Sequence, residues 1–520
     1  MKTDRRSPHP LSAALTGLLG VAVALGVAEF AAAFVRAQAA PVIAVGGDAI
    51  DRTPEWLKSF AIRTFGEHDK QVLLGGLVLG LAVLATLIGL VAGRRRGLGV
   101  LGMAVLGAVG LVAALGRPGG DLTDALPALL GAAAGAIALV LLLRAASMPT
   151  RAGIAEGADA DDEHRAGGRR SFLLAAGGAA AVAAAGGSLG RVSAGRRGVA
   201  EARRAVRLPA PARRAAPVPT GADLRIPGLS PFVTPNADFY RVDTALTLPQ
   251  VDPADWRLRV HGMVERPVEL TFAELLRRPL VERDITLACV SNQVGGPYVG
   301  HARWLGIVLA DLLREAGPQA GADQLLSRSA DGWTCGTPLG AVLDGRDAML
   351  AVGMNGEPLP IAHGFPVRMV VPGLYGYVSA TKWLVDLEVT RYRDHRAYWT
   401  ARGWATDAPV KTMARIEVPR PLRRVEAGRV AVAGTAWAQH RGVAAVQVRV
   451  DGGPWRQARL APVPGADTWR QWVLEWDAAP GVHRLEVRAT DAGGAVQPPE
   501  RVPPYPDGAT GWHSIVVTVE

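Results

Sequence analysis

The amino-acid sequence predicts a chain of three parts: N-terminal transmembrane α-helices, an α+β domain and a C-terminal β-sandwich. Three observations lead to this fold class. Long apolar runs with very little charge lie within residues 1–190. After residue 226, helical and strand patterns mix without a regular βαβ period. Short alternating strands separated by turns occupy residues 413–520. The length of 520 residues also requires more than one hydrophobic core.

The first part contains four apolar runs long enough to cross a bilayer, at residues 11–35, 72–93, 97–116 and 125–143. A fifth run, 171–190, is rich in Ala and Gly and only weakly hydrophobic. Any one run could be a buried core helix, but four in succession favour a membrane region of about five helices in residues 1–190. Few polar groups interrupt the runs, chiefly Glu29 and Asp124, which disfavours a transporter formed by the helices.

Basic residues beside the runs predict their orientation. If the four clear runs all cross, one side of the membrane receives three basic clusters: Arg5 with Arg6, Arg94 to Arg96, and Arg144 with Arg151. That side is predicted to be cytoplasmic, as is the acidic loop 159–163. The fifth run would then carry the rest of the chain out of the cytoplasm.

The fifth run begins with Arg169-Arg170-Ser171-Phe172-Leu173-Leu174, which is similar to a twin-arginine export signal. An ordinary arginine pair flanking a span is the alternative. Residues 191–225 are rich in Ala, Arg and Pro without an apolar period, and they predict a flexible linker. Eight arginines between Arg191 and Arg214 lie on the side that should be poor in them, although long exported domains do break this rule.

The formal net charge of +10 does not predict a nucleic-acid partner. Many of the arginines lie in the linker or beside the apolar runs, where membrane topology explains them. No basic face interleaved with aromatic residues accompanies them. We therefore expect no nucleic acid to bind.

Local signals define the α+β domain, residues 226–412. Thr271-x-x-Glu274 is a capping box that begins a short helix. The apolar run 285–288 predicts a strand that ends directly at Cys289, and residues 307–316 have helical spacing.

Alternating residues define the last domain, 413–520. Apolar and polar side chains alternate in 446–450 and 485–489, each followed by a turn, and the apolar run 515–519 closes the chain. This spacing is typical of an immunoglobulin-like β-sandwich. The region has no cysteine, so it lacks the disulfide found in antibody domains.

The sequence has only two cysteines, Cys289 and Cys335. They could form one bridge, or one of them could be a functional thiolate. Cys289 lies between a predicted strand and a Gly-rich loop, where a thiolate can bind a soft metal or act as a nucleophile. A buried apolar cysteine is the plainer alternative. Neither a histidine base nor further zinc ligands accompany it at a recognisable spacing.

Residues 353–386 combine glycines with polar and charged side chains, namely His363, Arg368, Tyr375, Ser379 and Lys382. Fixed cations beside Gly-rich turns suit a phosphorylated ligand, because Arg offers a fork of donors and backbone N–H groups can approach closely. His363 alone could equally be a structural histidine.

These segments resemble the sulfite oxidase superfamily of molybdenum–molybdopterin oxidoreductases, in its membrane-anchored bacterial branch. Thr286-Leu287-Ala288-Cys289-Val290-Ser291-Asn292 followed by Trp304-Leu305-Gly306-Ile307 resembles the family's metal-cysteine loop. Met354 to Pro360, His363 to Arg368, Val371 to Gly373 and Lys382-Trp383 resemble its pterin-binding segment. Phe239-Tyr240-Arg241 resembles its N-terminal cofactor loop, and 413–520 its dimerisation domain. The resemblance covers about 230–520 and excludes the membrane segments.

The resemblance implies a site built around Cys289, the catalytic residue and the protein ligand to molybdenum. Soft thiolate and dithiolene donors suit a metal that cycles by two electrons. Cys335 has no such role and is expected to be structural. The residues expected to bind the molybdopterin are Asn236, Tyr240, Arg241, Asp243, His363, Arg368, Ser379 and Lys382.

Two departures from the family concern the substrate. Gln293 and Val294 occupy the positions where sulfite oxidases usually carry an anion-binding arginine. Gly403 or Trp404 aligns with a family tyrosine. Compensating positive charge could come from other arginines, namely Arg303, Arg391, Arg393 and Arg396. Both departures weaken the expectation of sulfite as the substrate.

The expected function is therefore oxygen-atom transfer to or from a small substrate, at sulfur, by sulfite oxidation or sulfoxide reduction. No C-x-x-C-H haem motif occurs, so electrons should pass to a separate partner. The resemblance also implies that a homodimer could form through 413–520. The expected location is the plasma membrane of a bacterium, multi-pass, with the enzyme domain extracytoplasmic. The alternative is a membrane-tethered binding module without cofactor.

Overall fold

The computed structural model describes residues 9–54, 57, 60–61, 64–65, 68–117, 120–147, 160–196 and 198–520. The described residues form two compact units, one drawn from Met1–Gly198 and Thr244–Leu248 and the other from Val199–Asp243 and Pro249–Glu520. Side chains of 160–169 and 191–196 lie outside the description. The predicted topology signals at Arg5, Arg6, Arg151, Arg169 and the acidic loop 159–163 therefore fall outside the described residues or side chains.

The first unit is helical, as the apolar runs predict. Its helices are α1 (Pro10–Ala32), α2 (Pro41–Arg52), α3 (Asp69–Arg94), α4 (Arg96–Leu115), α5 (Ala125–Ala146) and α6 (Ala160–Arg196). Within the described residues, five helical stretches are long and apolar enough to cross a membrane: Pro10–Ala32, Lys70–Arg94, Arg96–Leu115, Leu122–Ala146 and Arg170–Gly190.

Helix α1 packs against α3, α5 and α6. Small residues permit this packing, since a Cβ atom on Gly17 would lie 2.0 Å from the Ala85 carbonyl oxygen of α3. Two ion pairs join loops and helix ends, Arg36 with the buried Asp124 and Arg117 with Asp51. The polar group noted in the sequence at Asp124 is thus neutralised by a cation.

Residues 199–225, which the sequence predicts to be part of a flexible linker, belong to the second unit and make specific contacts within it. Helix α7 (Ala200–Ala205) follows the buried Val199. Arg203 donates from Nε to the Leu359 carbonyl at 2.7 Å, and the Ala212 N–H donates to the Leu280 carbonyl at 2.8 Å. Composition alone does not predict these contacts. A segment rich in Ala, Arg and Pro can still be ordered when its arginine side chains and backbone bond to distant parts of the chain.

The α+β region of the second unit contains two sheets and short helices. The mixed sheet has the order β2-β1-β10-β5-β6, and the other sheet has the order β3-β4-β7-β8 with β9 paired to β7. The strands are β1 (Arg257–Gly262), β2 (Val268–Thr271), β3 (Val281–Ala288), β4 (Val299–Val308), β5 (Gln324–Ser329), β6 (Thr334–Pro338), β7 (Met349–Met354), β8 (Glu357–Pro358), β9 (Arg368–Val370) and β10 (Leu384–Thr390). The helices are α8 (Phe272–Arg277), α9 (Leu309–Ala316) and α10 (Leu339–Leu343).

Local sequence signals explain several of these boundaries. Thr271 and Glu274 form the predicted capping box at the start of α8. Helix α9 begins two residues later than predicted, because strand β4 continues to Val308, and it ends at Gly317 in the left-handed region. Strand β3 ends at Ala288, which leaves Cys289 at the start of the following loop.

The last region contains two facing sheets, β11-β13-β17-β16 and β12-β19-β18-β14-β15. Both contribute to one buried core that includes Val432, Trp472, Val446, Val487 and Val517. The strands are β11 (Met413–Val418), β12 (Arg424–Val425), β13 (Gly428–Trp437), β14 (Val443–Val450), β15 (Arg456–Gln457), β16 (Arg459–Leu460), β17 (Arg470–Ala478), β18 (Gly481–Asp491) and β19 (His513–Val519). Strands β14 and β18 include the two alternating runs of the sequence, 446–450 and 485–489, and β19 includes the closing apolar run 515–519.

Candidate functional site

Cys289 lies in a tight loop that joins β3 to β4. Its N–H donates to the Tyr298 carbonyl at 2.9 Å, and its own carbonyl accepts from the Asn292 N–H at 3.1 Å. The Asn292 side chain closes the loop by accepting from the Tyr298 N–H at 2.9 Å. These bonds satisfy the backbone of the loop and present the sulfur beside the Ser291 hydroxyl, 2.9 Å away.

The two cysteines are free thiols in different environments. Burial raises the pKa of the Cys289 thiol, while Ser291 and the charge of Lys382 act in the opposite direction. Cys335 is fully buried in the core, with its sulfur 3.7 Å from the Thr337 hydroxyl oxygen. The disulfide left open by the sequence is therefore absent, and Cys335 lies where a structural cysteine would.

Arg368 is the most deeply buried cation of the site, with 5% of the residue exposed. It is the first residue of β9, and its Nη1 donates to the His363 carbonyl at 3.1 Å. Its guanidinium carbon lies 4.9 Å from the centre of the Trp304 ring. Its Nε has no hydrogen-bond partner among the described residues. Burial lowers the pKa of Arg368 to about 10, so the group stays charged at neutral pH.

A second group of cations surrounds one carboxylate. Lys382 Nζ lies 2.6 Å and Arg241 Nε 2.8 Å from Oδ2 of Asp243, which is itself almost fully buried. Burial lowers the pKa of Lys382 to about 8, the charge of Asp243 opposes that change, and Arg368 and Arg241 add to it. Lys382 thus interacts with two other cations, Arg368 and Arg241, and with one carboxylate, so these four groups together carry a net positive charge.

Tyr240 and His363 both interact with these cations, and Tyr240 also interacts with Cys289. Burial raises the pKa of Tyr240, the charge of a Cys289 thiolate adds to this, and Arg368 opposes it, so the phenol is neutral. Burial and then Arg368 lower the pKa of His363 to about 4. Its Nε2 lies 3.1 Å from the Asn236 carbonyl. In the neutral ring Nε2 must donate to that carbonyl, which leaves Nδ1 as an acceptor.

Two predicted cofactor contacts have side chains engaged within the protein. The Asn236 amide donates to Glu357, and its oxygen accepts from Asn355 at 2.8 Å. The Ser379 hydroxyl shares its single proton between the carbonyls of Leu374 and Tyr375, both 3.0 Å away. Asn236 and Ser379 therefore stabilise the surrounding loops through these bonds.

The structure also brings in residues that the sequence reasoning did not assign to the site. Tyr298 lies with its ring centre 6.3 Å from that of Tyr240. Tyr375 is buried, and a Cys289 thiolate contributes to raising its pKa after burial itself. The Asn292 Nδ2 is buried without a partner among the described residues. Asn292 and Tyr375 stood inside the quoted motifs, whereas nothing near Tyr298 in the sequence indicated a role.

These groups fit an anionic cofactor that carries soft metal ligands. The buried Nε of Arg368 lacks an acceptor, the cations outnumber the carboxylate, and a thiol stands beside them. Among the described residues no three His, Cys, Asp or Glu side chains converge to hold a metal by themselves. A metal at Cys289 would therefore need most of its ligands from a cofactor, as a dithiolene provides.

Comparison with known proteins identifies the family. Residues 245–399 match the oxidoreductase molybdopterin binding domain. Sulfite oxidase of Gallus gallus is 33% identical over 334 residues, which cover 54% of this chain and 72% of that protein. The chain belongs to the sulfite oxidase superfamily. As a superfamily member it is a molybdopterin oxidoreductase, and molybdenum–molybdopterin is the cofactor that the family implies.

Other similar proteins cover the same part of the chain. Mitochondrial sulfite oxidase of Homo sapiens is 31% identical over 341 residues, 55% of this chain and 62% of that protein. The solved structure of the sulfane dehydrogenase SoxCD from Paracoccus pantotrophus is 25% identical, with a TM-score of 0.47, over 56% of this chain and 84% of that one. The chain thus spans less than two thirds of the human relative's length.

Proposed function

We propose that this superfamily member transfers an oxygen atom to or from the sulfur of a small substrate, with Cys289 as the protein ligand to molybdenum. One observation carries the proposal: a free thiol stands near Arg368, a buried cation whose Nε has no hydrogen-bond partner among the described residues. A buried unpaired cation is costly unless a ligand supplies the counter-charge. The phosphate of molybdopterin supplies such a charge.

The site residues have distinct proposed roles. The bound cofactor supplies a metal that cycles by two electrons and exchanges an oxygen atom. The Cys289 thiolate binds the metal, and Arg368, Lys382 and Arg241 bind the phosphate. His363 offers Nδ1 as an acceptor for a pterin N–H, and the Tyr240 phenol donates a hydrogen bond. Asp243 holds two of the cations in place through the ion pairs at 2.6 and 2.8 Å.

The substrate is a small sulfur compound, and two observations point to different members of this class. The relatives named sulfite oxidase favour sulfite. On the other hand, Gln293 is exposed, Arg303 is paired with Asp284 at 2.7 Å, and Arg391 donates to the Gly321 carbonyl at 3.0 Å. These two arginines are engaged elsewhere, which favours an uncharged sulfoxide.

The five apolar helices are compatible with association with a membrane. We propose that this is the plasma membrane of a bacterium, with residues 1–190 embedded and the enzyme domain, 226–412, outside the cytoplasm. The region 413–520 is proposed as an immunoglobulin-like domain through which two copies dimerise. Electrons pass to or from a separate carrier, because the sequence contains no C-x-x-C-H motif for a covalently bound haem.

Metal and pterin analysis of the purified full chain tests this proposal. Molybdenum and pterin near one per chain are expected, with loss of molybdenum in Cys289→Ser. Cys335→Ser is the matched control, because it removes the other thiol from a site that is buried in the core. Turnover of sulfite with an artificial electron acceptor, or of a sulfoxide with an artificial donor, then assigns the direction. Wild-type protein without molybdenum or pterin would favour the cofactor-free binding module.

A further inference from the structure

The loop that carries Cys289 is in contact with the C-terminal sandwich on both sides of the cysteine. Upstream, the Thr286 N–H donates to the Asp467 carbonyl at 2.9 Å, and Gln439 Nε2 donates to the Thr286 carbonyl at 3.2 Å. The Trp469 N–H also donates to the Thr286 hydroxyl at 2.7 Å. Strand β3 is the edge strand of its sheet, so these bonds satisfy backbone groups that no neighbouring strand could reach.

Downstream, the contact is made by a buried ion pair. Arg415 of β11 donates from Nη1 to the Gly296 carbonyl at 2.7 Å and pairs with Glu417 at 2.8 Å. Glu417 also accepts from the Ser230 N–H at 2.7 Å and from the Thr435 hydroxyl at 2.8 Å. The arginine is thus held in place by its carboxylate partner, and it fixes a loop carbonyl seven positions after Cys289.

His513 of β19 makes a third contact between the sandwich and the Cys289 loop. Its Nδ1 accepts from the Ile416 N–H at 3.0 Å, which orients the ring. Gly295 has a φ of +79°, and a Cβ atom at that position would lie 2.3 Å from His513 Nε2. The loop backbone therefore rests directly on the imidazole, and only glycine fits there.

We propose that Arg415 and His513 are positioning residues, through which the C-terminal sandwich holds the Cys289 loop in a metal-binding conformation. This gives the sandwich a role within its own chain in addition to the proposed dimer contact. The metal-binding purpose of this positioning rests on the proposed function, whereas the test of the positioning itself does not. Bonds within the loop, such as the one from the Cys289 N–H to the Tyr298 carbonyl, report on its conformation whether or not a cofactor is bound.

Hydrogen exchange of the full chain in detergent, followed by peptide mass spectrometry, measures those bonds directly. In Arg415→Ala, the peptide spanning 289–298 should exchange about tenfold faster or more, as expected for loss of one hydrogen bond to a charged group. Arg415→Lys should restore part of the protection. Arg449→Ala is the matched control, since it removes a sandwich arginine paired with Glu486 at 2.6 Å and should leave the loop unchanged.

A second variant covers the case in which Arg415→Ala does not fold. His513→Asn keeps an acceptor for the Ile416 N–H but removes the ring edge under Gly295, and it should also speed exchange in 289–298. In protein that contains molybdenum, both variants should broaden or shift the Mo(V) paramagnetic resonance signal. Exchange within twofold of wild type in the folded variants, or equal acceleration across the whole sandwich, would overturn the proposal. Absence of molybdenum from the wild type would instead contradict the proposed function.

Discussion

Replacing Arg368 by Met should leave the cofactor-free protein as stable as the wild type or more stable. Burial lowers the pKa of Arg368 from 12.5 to about 10. At about 1.4 kcal/mol for each pH unit, the folded state disfavours the charged form by roughly 3 kcal/mol. Because the folded pKa lies below the unfolded value, this penalty is fully present below pH 10 and is relieved only as the pH rises above it.

Two losses oppose this gain. Met cannot donate to the His363 carbonyl, which costs about 1 kcal/mol, and it gives up the attraction of the cation to the Trp304 ring, about 1 kcal/mol more. The expected change in the free energy of unfolding therefore lies between zero and about 2 kcal/mol in favour of the variant. The same variant should bind little or no molybdopterin.

Urea denaturation of cofactor-free full chain, followed by tryptophan fluorescence, measures this difference. Arg415→Met is the matched comparison: it also removes a buried arginine, but it leaves Glu417 without its partner and should cost about 3 kcal/mol or more. If Arg368→Met instead lost more than about 2 kcal/mol, or retained a full complement of molybdenum, the reasoning from an unpaired cation would be refuted.

Three further predictions concern other charged groups. Asp243→Asn should lower the stability of the cofactor-free protein by about 3 kcal/mol in urea titrations, because Lys382 loses its buried partner, and added cofactor should recover part of the loss. Burial lowers the pKa of His513 to about 4; stability should therefore fall as pH drops from 6.5 toward 4, and denaturation curves of His513→Asn should show a weaker dependence. Arg36→Ala should lower the thermal unfolding temperature in detergent, because Asp124 would remain buried without its ion pair, and an unchanged temperature would contradict this.

Elements with local signals could be predicted from the sequence. The capping box of Thr271 and Glu274 needs only four residues; the apolar run 11–35 located α1, and the alternation in 485–489 located β18. The predicted start of α9 was two residues too early, because pairing of Val308 with Met349 of β7 extends strand β4. Pairing of that kind depends on a distant segment, which no local pattern contains.

The candidate site likewise contains residues that local motifs predict and residues that only the three-dimensional structure identifies. Cys289, Arg368 and Lys382 stand in recognisable motifs, and the structure places them near one another. Ser379 belongs to the same segment, but a short helical turn directs its hydroxyl to the carbonyls of that turn. Tyr298 and Arg415 carry no motif. Tyr298 belongs to the Cys289 loop itself, whereas only packing between distant segments brings Arg415 to that loop. Residue type therefore predicted the chemistry, whereas long-range packing decided which side chains take part.

The unpaired groups of the site argue for a bound ligand over a module without cofactor. Arg368 Nε and Asn292 Nδ2 are both buried without partners among the described residues. Each such group lowers the stability of the folded chain by about 1 kcal/mol or more. A membrane-tethered binding module without cofactor would gain nothing from two buried, unpaired polar groups near a thiol. A ligand that accepts these hydrogen bonds and neutralises the cations would bind the folded state alone and stabilise it in proportion to its affinity. The stability of the chain should accordingly depend on its cofactor.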